Sequence, residues 1–187
     1  MHHKGTIELR TPRLLLRRFT PEDAQAMFDN WANDSRVTRY LTWLPHGSPV
    51  FTRELLENWC ASYERPEVYN WAIEYKGMPV GNISVVRMDE TDGYAELGYC
   101  LGTGYWNTGI MTEAASAVID FLFSEVGAGR VGISHAVENP ASGRVALKCG
   151  LTFEGTRQAA YRTSDGALHD LNVYGIRRDA WMSGRPL

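Results

Sequence analysis

The sequence predicts an α/β fold of the α+β kind, in which about four helices flank one mixed, mostly antiparallel sheet of about seven strands. Strand patterns at residues 71–75, 80–86 and 94–101, separated by polar turns, indicate an antiparallel meander. A strand–helix–strand unit follows from 94 to 137, and its crossover requires two parallel neighbouring strands. The length of 187 residues suits one domain, 1–187, with its own hydrophobic core.

One strand and two helices are predicted ahead of the meander. The apolar run at residues 14–16 reads as a buried strand. Residues 20–23, Thr-Pro-Glu-Asp, provide an N-cap, a proline in the first turn and two acidic side chains near the positive end of a helix dipole. Apolar residues spaced by three and four then mark two helical stripes: Ala24, Met27, Phe28 and Trp31, and later Leu55, Leu56, Trp59 and Tyr63.

The segment between these two helices, residues 36–50, is unusually aromatic for a linker. It contains Tyr40 and Trp43 together with Pro45, Gly47 and Pro49. Two interpretations are open at this point. The aromatic side chains line a substrate cleft, or they cover the hydrophobic core.

The elements after the meander complete the predicted sheet. A long helix is expected from about Gly109 to Glu125, and glycines end it. A strand at residues 131–137 follows, and then a short helix that opens at Asn139-Pro140 and ends at residue 150. Two final strands are predicted at residues 153–161 and 169–176.

The composition excludes several classes of protein. Lys and Arg number 19 against 22 Asp and Glu, a net charge of −3, so the chain as a whole does not attract nucleic acid or an anionic membrane. No apolar run reaches the roughly 20 residues of a membrane span, and the N-terminus has no signal-peptide pattern. Cys60, Cys100 and Cys149 lack metal-ligand or CxxC spacing. We therefore expect a cytoplasmic protein, a monomer or homodimer, with reduced thiols and no bound metal.

A glycine turn at residues 105–113 carries the first functional signal. Gly109 lies where a loop becomes a helix, and a residue without a side chain lets a bulky anion approach the free N–H groups of the helix start. The helix dipole favours negative charge at the same place. Because a glycine before a helix is common, the turn indicates a phosphate site only in combination with its surroundings.

The surroundings of the turn are distinctive in their order. The strand 95–99 (Ala-Glu-Leu-Gly-Tyr) precedes it, and the segments 138–142 (Glu-Asn-Pro-Ala-Ser) and 148–151 (Lys-Cys-Gly-Leu) follow it. Residues 11–17 and the group His169-Asp170 with Tyr174 belong to the same pattern. Over almost its whole length the sequence resembles the GNAT superfamily of N-acetyltransferases, and within it the Rim-type branch, named for ribosomal-protein N-terminal acetyltransferases.

The resemblance implies an acetyl-CoA site around the turn. Backbone amides of the turn would hold the pyrophosphate, and the pantetheine would lie between two splayed parallel strands that end near Leu101 and Val137. The implied cofactor-binding residues are Tyr99, Cys100, Leu101, Asn107, Thr108, Gly109, Ile110, Met111, Thr112, Asn139, Ser142 and Lys148, and Arg144 would also reach a phosphate. Residues 106–108 depart from the family pattern because they carry no positive charge, and Met111 stands where Gly or Ala is usual. Phosphate binding would then depend on amides and the helix dipole.

Acyl transfer to an amine needs a base for the nitrogen, a donor for the oxyanion and an acid for the leaving thiolate. Glu96 is the candidate base, acting directly or through water, and a solvated or ion-paired carboxylate is the alternative interpretation. Ser142 is the candidate acid, because Ala146 stands where other GNAT branches carry a tyrosine. Helix capping by Asn139 and Ser142 is the alternative interpretation of this segment.

Other polar groups near the site have two interpretations each. His135 titrates in the range useful for catalysis, or it is a structural histidine. Asp170 and Tyr174 orient the acceptor amine, or they hold the last strands together. The resemblance assigns the oxyanion donor to a backbone N–H of Tyr99 or Leu101.

The predicted activity is transfer of an acetyl group from acetyl-CoA to a primary amine by direct attack on the thioester. An α-amino group has a pKa of about 7.7–8.0 against about 10.4 for a lysine side chain, so it loses its proton with less help. A strong base is therefore optional for such an acceptor, and the resemblance to the Rim-type branch implies a protein or peptide N-terminus. A polyamine, an antibiotic or another small amine is the alternative acceptor, and a non-catalytic acyl-CoA sensor is the alternative of another class.

Overall fold

The computed structural model of the protein describes residues 1–184. Within this range eight strands form one open sheet in the order β1-β2-β3-β4-β5-β6-β8-β7. Their bounds are β1 Leu9–Arg10, β2 Leu14–Arg17, β3 Asn70–Tyr75, β4 Met78–Asp89, β5 Tyr94–Leu101, β6 Arg130–Ala136, β7 Thr152–Arg162 and β8 Leu168–Arg177.

Six α-helices accompany the sheet in the described residues. They are α1 Ala24–Met27, α2 Ser35–Thr38, α3 Pro49–Ser62, α4 Ile110–Phe121, α5 Pro140–Lys148 and α6 Arg178–Ser183. Helical turns of π type extend α1 through Phe28–Ala32 and α4 through Leu122–Val126. None of the helices within residues 1–184 is long and apolar enough to cross a bilayer.

The strands β5 and β6 form the parallel pair inside an otherwise antiparallel sheet, as the crossover predicts. They pair in register only from Tyr94 opposite Arg130 to Leu97 opposite Ile133. Beyond that point β5 continues to Leu101 and β6 to Ala136 without pairing to each other. The two strands therefore separate at their C-terminal ends, which leaves backbone groups of both strands available at the centre of the sheet.

The two faces of the sheet pack against different helices because side chains alternate along each strand. One face forms the larger apolar cluster with α4 and α5, and it includes Trp71, Ile83 and Leu97. The other face packs against α1 and α3 around Trp31, Leu56 and neighbouring apolar residues. The helical stripes predicted from the sequence are the surfaces that these helices bury.

The fold agrees with the predicted class and adds short elements. The strand β1 has two residues, α2 four and α6 six, too few for a periodic pattern to be recognised. The long predicted helix begins at Ile110, one residue after the expected Gly109, because Gly109 adopts a left-handed conformation at the N-cap. The expected strand 80–86 extends further, from Met78 to Asp89.

Candidate active site

The turn before α4 presents backbone N–H groups at the helix start. Gly109 has φ 81° and Asn107 has φ 61°, both in the left-handed region. The positive φ at Gly109 allows the chain to reverse into α4, and the Gly109 carbonyl accepts the N–H of Glu113 at 3.0 Å. The N–H groups of the residues in between have no partners within the helix, which makes this end suitable for an anion.

A carboxylate and two residues from the connection before β2 hold this turn in place. Thr11 Oγ1 donates to Glu113 Oε1 at 2.6 Å, and Arg13 Nε donates to Glu113 Oε2 at 2.6 Å. Arg13 Nη1 also donates to the Thr108 carbonyl at 3.1 Å. Burial opposes ionisation of Glu113, but the hydrogen bonds from Thr11 and Arg13 outweigh it and lower the pKa. The guanidinium of Arg13 is thus paired with Glu113 and braces the turn, and it does not line the cavity beside it.

The larger of two neighbouring cavities opens beside this turn and has a volume of about 900 Å³. Its lining contains four basic side chains, Arg36, Arg39, Arg144 and Lys148. The predicted cofactor-binding residues that line it are Tyr99, Cys100, Leu101, Asn107, Gly109, Ile110, Met111, Thr112, Asn139, Ser142 and Lys148. Thr108 is not among the lining residues, because its hydroxyl turns back to donate to the Tyr105 carbonyl at 2.6 Å.

The smaller cavity has a volume of about 320 Å³ and lies on the other side of the separated strands. Aromatic side chains from two parts of the chain contribute to its walls: Tyr40 and Trp43 from one loop, and Tyr161 from β7. Glu96 is the one carboxylate in its lining. The cavity therefore combines apolar surface with a single negative charge.

The two cavities share a wall where β5 and β6 separate. Six residues line both: Tyr40, Leu41, Tyr99, Cys100, Asn139 and Ser142. Cys100 Sγ donates to Asn82 Oδ1 at 2.8 Å, and burial raises the pKa of the Cys100 thiol to about 12. The thiol at this wall is accordingly protonated at neutral pH.

Tyr99 and Ser142 form a side-chain pair at the shared wall. Tyr99 Oη lies 2.9 Å from Ser142 Oγ and 3.2 Å from the Ser142 carbonyl oxygen. Burial raises the pKa of Tyr99, so its hydroxyl stays neutral. Ser142 does not use its hydroxyl as a helix cap, and Asn139 makes no side-chain capping hydrogen bond to α5. The geometry thus disfavours capping as the explanation of these two residues.

Glu96 lies on the face of β5 opposite to Tyr99 and reaches the smaller cavity. Burial, followed by the nearby Glu96 carboxylate, raises the pKa of Tyr94 to about 12. The guanidinium carbons of Arg87 and Arg130 lie 5.8 and 5.9 Å from the centre of the Tyr94 ring. Glu96 therefore has a phenol as its neighbour and also faces the cavity, so its catalytic role stays a prediction.

The structure fits the structural interpretation of Asp170 and Tyr174, whereas both interpretations of His135 stay open because it lines the smaller cavity with no hydrogen-bond partner at Nε2 among the described residues. His135 Nδ1 donates to the Ala136 carbonyl at 2.7 Å, and its ring stacks on Tyr174 with centroids 5.4 Å apart. Burial lowers the pKa of His135, which keeps it neutral. Asp170 Oδ1 accepts the N–H of Ala159 at 2.9 Å, where the backbone has φ 46° in an irregular stretch of β7.

Residues 34–43 form a segment, here called the roof segment, that covers both cavities. Asp34 and Arg36 pair with each other and both contact Thr103 Oγ1, at 3.2 and 3.1 Å. The hydrogen bond from Arg36 lowers the pKa of Asp34 to about 2. At the other end, Tyr161 Oη donates to the Tyr40 carbonyl at 2.9 Å. The roof segment is thus fixed at Thr103, just before the glycine turn, and at the β7–β8 hairpin.

The position of the roof segment supports the cleft-lining interpretation of the aromatic stretch. Tyr40 and Trp43 line the smaller cavity, as that interpretation requires. Arg36 and Arg39 on the larger cavity were not predicted from the sequence. In the sequence they are simply two arginines among aromatic residues. That pattern does not indicate which helix start the arginines lie near.

No group of three or more His, Cys, Asp or Glu side chains among the described residues could hold a metal ion. The shared wall offers hydroxyl, thiol and amide groups together with backbone N–H groups, and the Glu96 carboxylate lies in the smaller cavity. These groups can bind an anion, accept a proton and donate one, which are the requirements of group transfer between two bound molecules.

Comparisons with known proteins agree with this geometry. A family profile described as "Acetyltransferase (GNAT) domain" matches residues 13–152. YoaA of Bacillus subtilis, named as an uncharacterized N-acetyltransferase, is 33% identical over 171 residues, which are 90% of this chain and 95% of YoaA. The ribosomal-protein-serine acetyltransferase of Escherichia coli is 34% identical over 95 residues, which are 51% of this chain and 52% of that protein.

The fold of the chain is also similar to that of a solved acetyltransferase structure. RimL, described as a ribosomal α-N-protein acetyltransferase in complex with coenzyme A, has a TM-score of 0.83 at 24% identity and covers 93% of this chain and 99% of RimL. With the family match over residues 13–152 and the parallel pair that separates beside a glycine turn, the chain belongs to the GNAT family of acetyltransferases.

Proposed function

We propose that this acetyltransferase moves the acetyl group of acetyl-CoA directly onto a primary amine, and that the amine is the N-terminus of a protein or peptide. The observation that carries the proposal is the pair of cavities that meet at one wall where β5 and β6 separate. A donor in the larger cavity and an acceptor in the smaller one would bring their reacting atoms together at this wall. Direct transfer needs this proximity.

The larger cavity fits a phosphate-bearing donor. Gly109 provides a helix start without a side chain, and a Cβ placed there would lie 3.4 Å from Arg13 Nη2. The N–H groups of residues 107–112 and the four basic side chains of the lining would bind the phosphates, with Thr108 contributing only its amide. Backbone groups of Tyr99, Cys100 and Leu101 would hold the pantetheine arm at the strand edge that β6 leaves open.

Residues in the shared wall and next to it in each cavity would carry the chemistry. Glu96, directly or through water, would take a proton from the acceptor nitrogen, and a backbone N–H of Tyr99 or Leu101 would stabilise the oxyanion. Ser142 would protonate the departing sulfur. In support of this assignment, the Ser142 hydroxyl bonds to Tyr99 at the junction of both cavities and is not used as a cap.

The lining of the smaller cavity favours an acceptor with one positive charge. A polyamine or a polycationic antibiotic would require several carboxylates, whereas Glu96 is the single acidic residue there. Tyr40, Trp43 and Tyr161 offer aromatic surface to the first side chains of a peptide. A sensor without activity would need no second cavity, so the open acceptor side supports turnover.

We further propose that residues 1–187 act as one acetyltransferase domain in the cytoplasm. One continuous sheet joins β1 to β7 and β8 across the described residues, so no part of it has a separate core sheet. Cys60, Cys100 and Cys149 are free thiols in the structure, which suits a reducing compartment.

A screen for thiol release tests the acceptor. Acetyl-CoA is offered with three sets of amines: peptides with free N-termini, polyamines and antibiotic amines. We expect peptides to be the best substrates and their products to gain one acetyl group at the α-nitrogen. The matched control is the same peptide with a blocked N-terminus and a free lysine. Faster release with polyamines, or equal release with the blocked peptide, would overturn the peptide N-terminus as acceptor.

A further inference from the structure

The position that carries a tyrosine acid in other GNAT branches holds a fully buried alanine, Ala146. A second hydroxyl is nevertheless present near Ser142, because Tyr99 reaches the same helix from β5. The resemblance assigned only backbone groups of Tyr99 to the site. The proposed reaction therefore assigns no role to the Tyr99 side chain, although it forms part of the shared wall.

Within residues 1–184, Ser142 is the hydrogen-bond partner of the Tyr99 phenol. Its Oη lies 2.9 Å from Ser142 Oγ, closer than the 3.2 Å to the Ser142 carbonyl. The Ser142 carbonyl lies in the first turn of α5, where it accepts the helical N–H four residues later. The contact to Oγ is accordingly the one through which Tyr99 can change the chemistry of the site.

We propose that Tyr99 is a positioning residue for the reaction: its hydroxyl donates to Ser142 Oγ and thereby turns the Ser142 hydrogen toward the sulfur of the leaving thiol. Either hydroxyl can be the donor in the resting enzyme, since both carry one hydrogen. When Tyr99 donates, the hydrogen on Ser142 has no partner at Tyr99 and is free for the sulfur. This inference rests on the proposed function, because it concerns the same transfer step.

The step balances without a further reactant. The nitrogen lone pair forms the C–N bond while the carbonyl π electrons move to oxygen, and their return breaks the C–S bond with its electron pair on sulfur. The Ser142 proton moves to that sulfur, and Ser142 Oγ is reprotonated by water with the proton that the nitrogen lost to Glu96. Throughout, the Tyr99 hydrogen bond stabilises the negative charge that grows on Oγ.

Tyr99→Phe removes only the hydroxyl oxygen and tests the proposal. We expect kcat for thiol release to fall about tenfold, which is the effect of losing one hydrogen bond to a charged oxygen in the transition state. The Kd for CoA and the KM for the acceptor are expected to change less than about twofold. Tyr63→Phe is the matched control, because its hydroxyl donates to the Asn70 carbonyl at 2.8 Å outside both cavities. This control is expected to lower the melting temperature without lowering kcat.

A double-mutant cycle separates positioning from packing. In a Ser142→Ala background Tyr99→Phe is expected to lower kcat less than about twofold, because the oxygen it acts on is gone. A full tenfold loss in that background, or an unchanged kcat in the single variant, would overturn the role of Tyr99 and leave the proposed function standing. Wild-type enzyme that binds CoA but releases no thiol with any amine would overturn the proposed function and this inference together.

Discussion

The donor side and the acceptor side of the protein are built from different parts of the chain. The larger cavity begins at a turn whose essential property is backbone geometry, a left-handed Gly109 and a row of N–H groups at the start of α4. The smaller cavity is made of side chains that converge from the roof segment, β4, β5, β6 and the β7–β8 hairpin. Backbone geometry can be encoded by one glycine, whereas the acceptor side depends on many side chains brought together by the fold.

This difference predicts that the two sides tolerate substitution differently. A phosphate is recognised by N–H groups that every residue carries, so the sequence of the turn can vary while its function persists. An acceptor is recognised by shape, aromatic surface and the position of one carboxylate, and each substitution there changes the preference. Variants on the two sides should therefore fail in different measurements.

The largest expected effect belongs to the glycine turn. Gly109→Glu places a side chain and a negative charge at the helix start and adds the strain of a left-handed conformation at φ 81°. We expect CoA affinity, measured by calorimetry, to fall at least about 100-fold. Gly77→Glu is the matched control, since Gly77 has φ 77° and nothing within 4 Å of an added Cβ. Equal affinities of the two variants would place the donor elsewhere.

The next effect belongs to the shared wall, where the two sides cannot be separated. Ser142→Ala is expected to lower kcat about 100-fold by removing the proton donor for the sulfur, while Kd for CoA changes less than about threefold. Single-turnover kinetics with saturating acetyl-CoA provide the measurement. Parallel losses in kcat and in CoA affinity would instead assign Ser142 to holding the donor.

On the acceptor side, Glu96→Gln keeps the shape and removes the charge. We expect kcat/KM for a peptide to fall about tenfold, because an α-amine needs only limited help to lose its proton, and CoA affinity to remain unchanged. The control is Glu154→Gln, which removes a carboxylate that pairs with Arg130 outside both cavities. A similar loss in both variants would show that Glu96 acts through the stability of the sheet.

The smallest effects concern the two ends of the roof segment. Tyr161→Phe removes the hydrogen bond to the Tyr40 carbonyl and is expected to raise the acceptor KM about threefold without changing CoA affinity. Thr103→Val removes the contact with Asp34 and Arg36 and is expected to weaken CoA binding by a similar factor without changing the acceptor KM. If each variant changed CoA affinity and the acceptor KM by the same factor, the two ends of the roof segment would be coupled. The two sides would then not be independent.

The same contrast decides how much could be predicted from the sequence. The parallel pair and the turn at Gly109 were predictable, because a crossover and a glycine before a helix leave local signals. The places of Arg13 and Arg36 at the site were not predictable. The contact of Arg13 with Glu113, for example, joins residues 100 positions apart in the chain. The pairing of Tyr99 with Ser142 likewise joins a strand to a helix that lies beyond two other elements. Local patterns predict elements, and only the fold brings such side chains together.

The thiol of Cys100 at the wall between the cavities has a consequence for the kinetic scheme. A nucleophilic cysteine in this place would capture the acyl group and divide the reaction into two half-reactions, with the first product leaving before the second substrate binds. Burial raises the pKa of the Cys100 thiol to about 12, against the opposing hydrogen bond from Asn82, and so leaves it protonated. We therefore expect a ternary complex, in which both substrates bind before either product leaves, and initial-rate kinetics with both substrates varied would give intersecting lines.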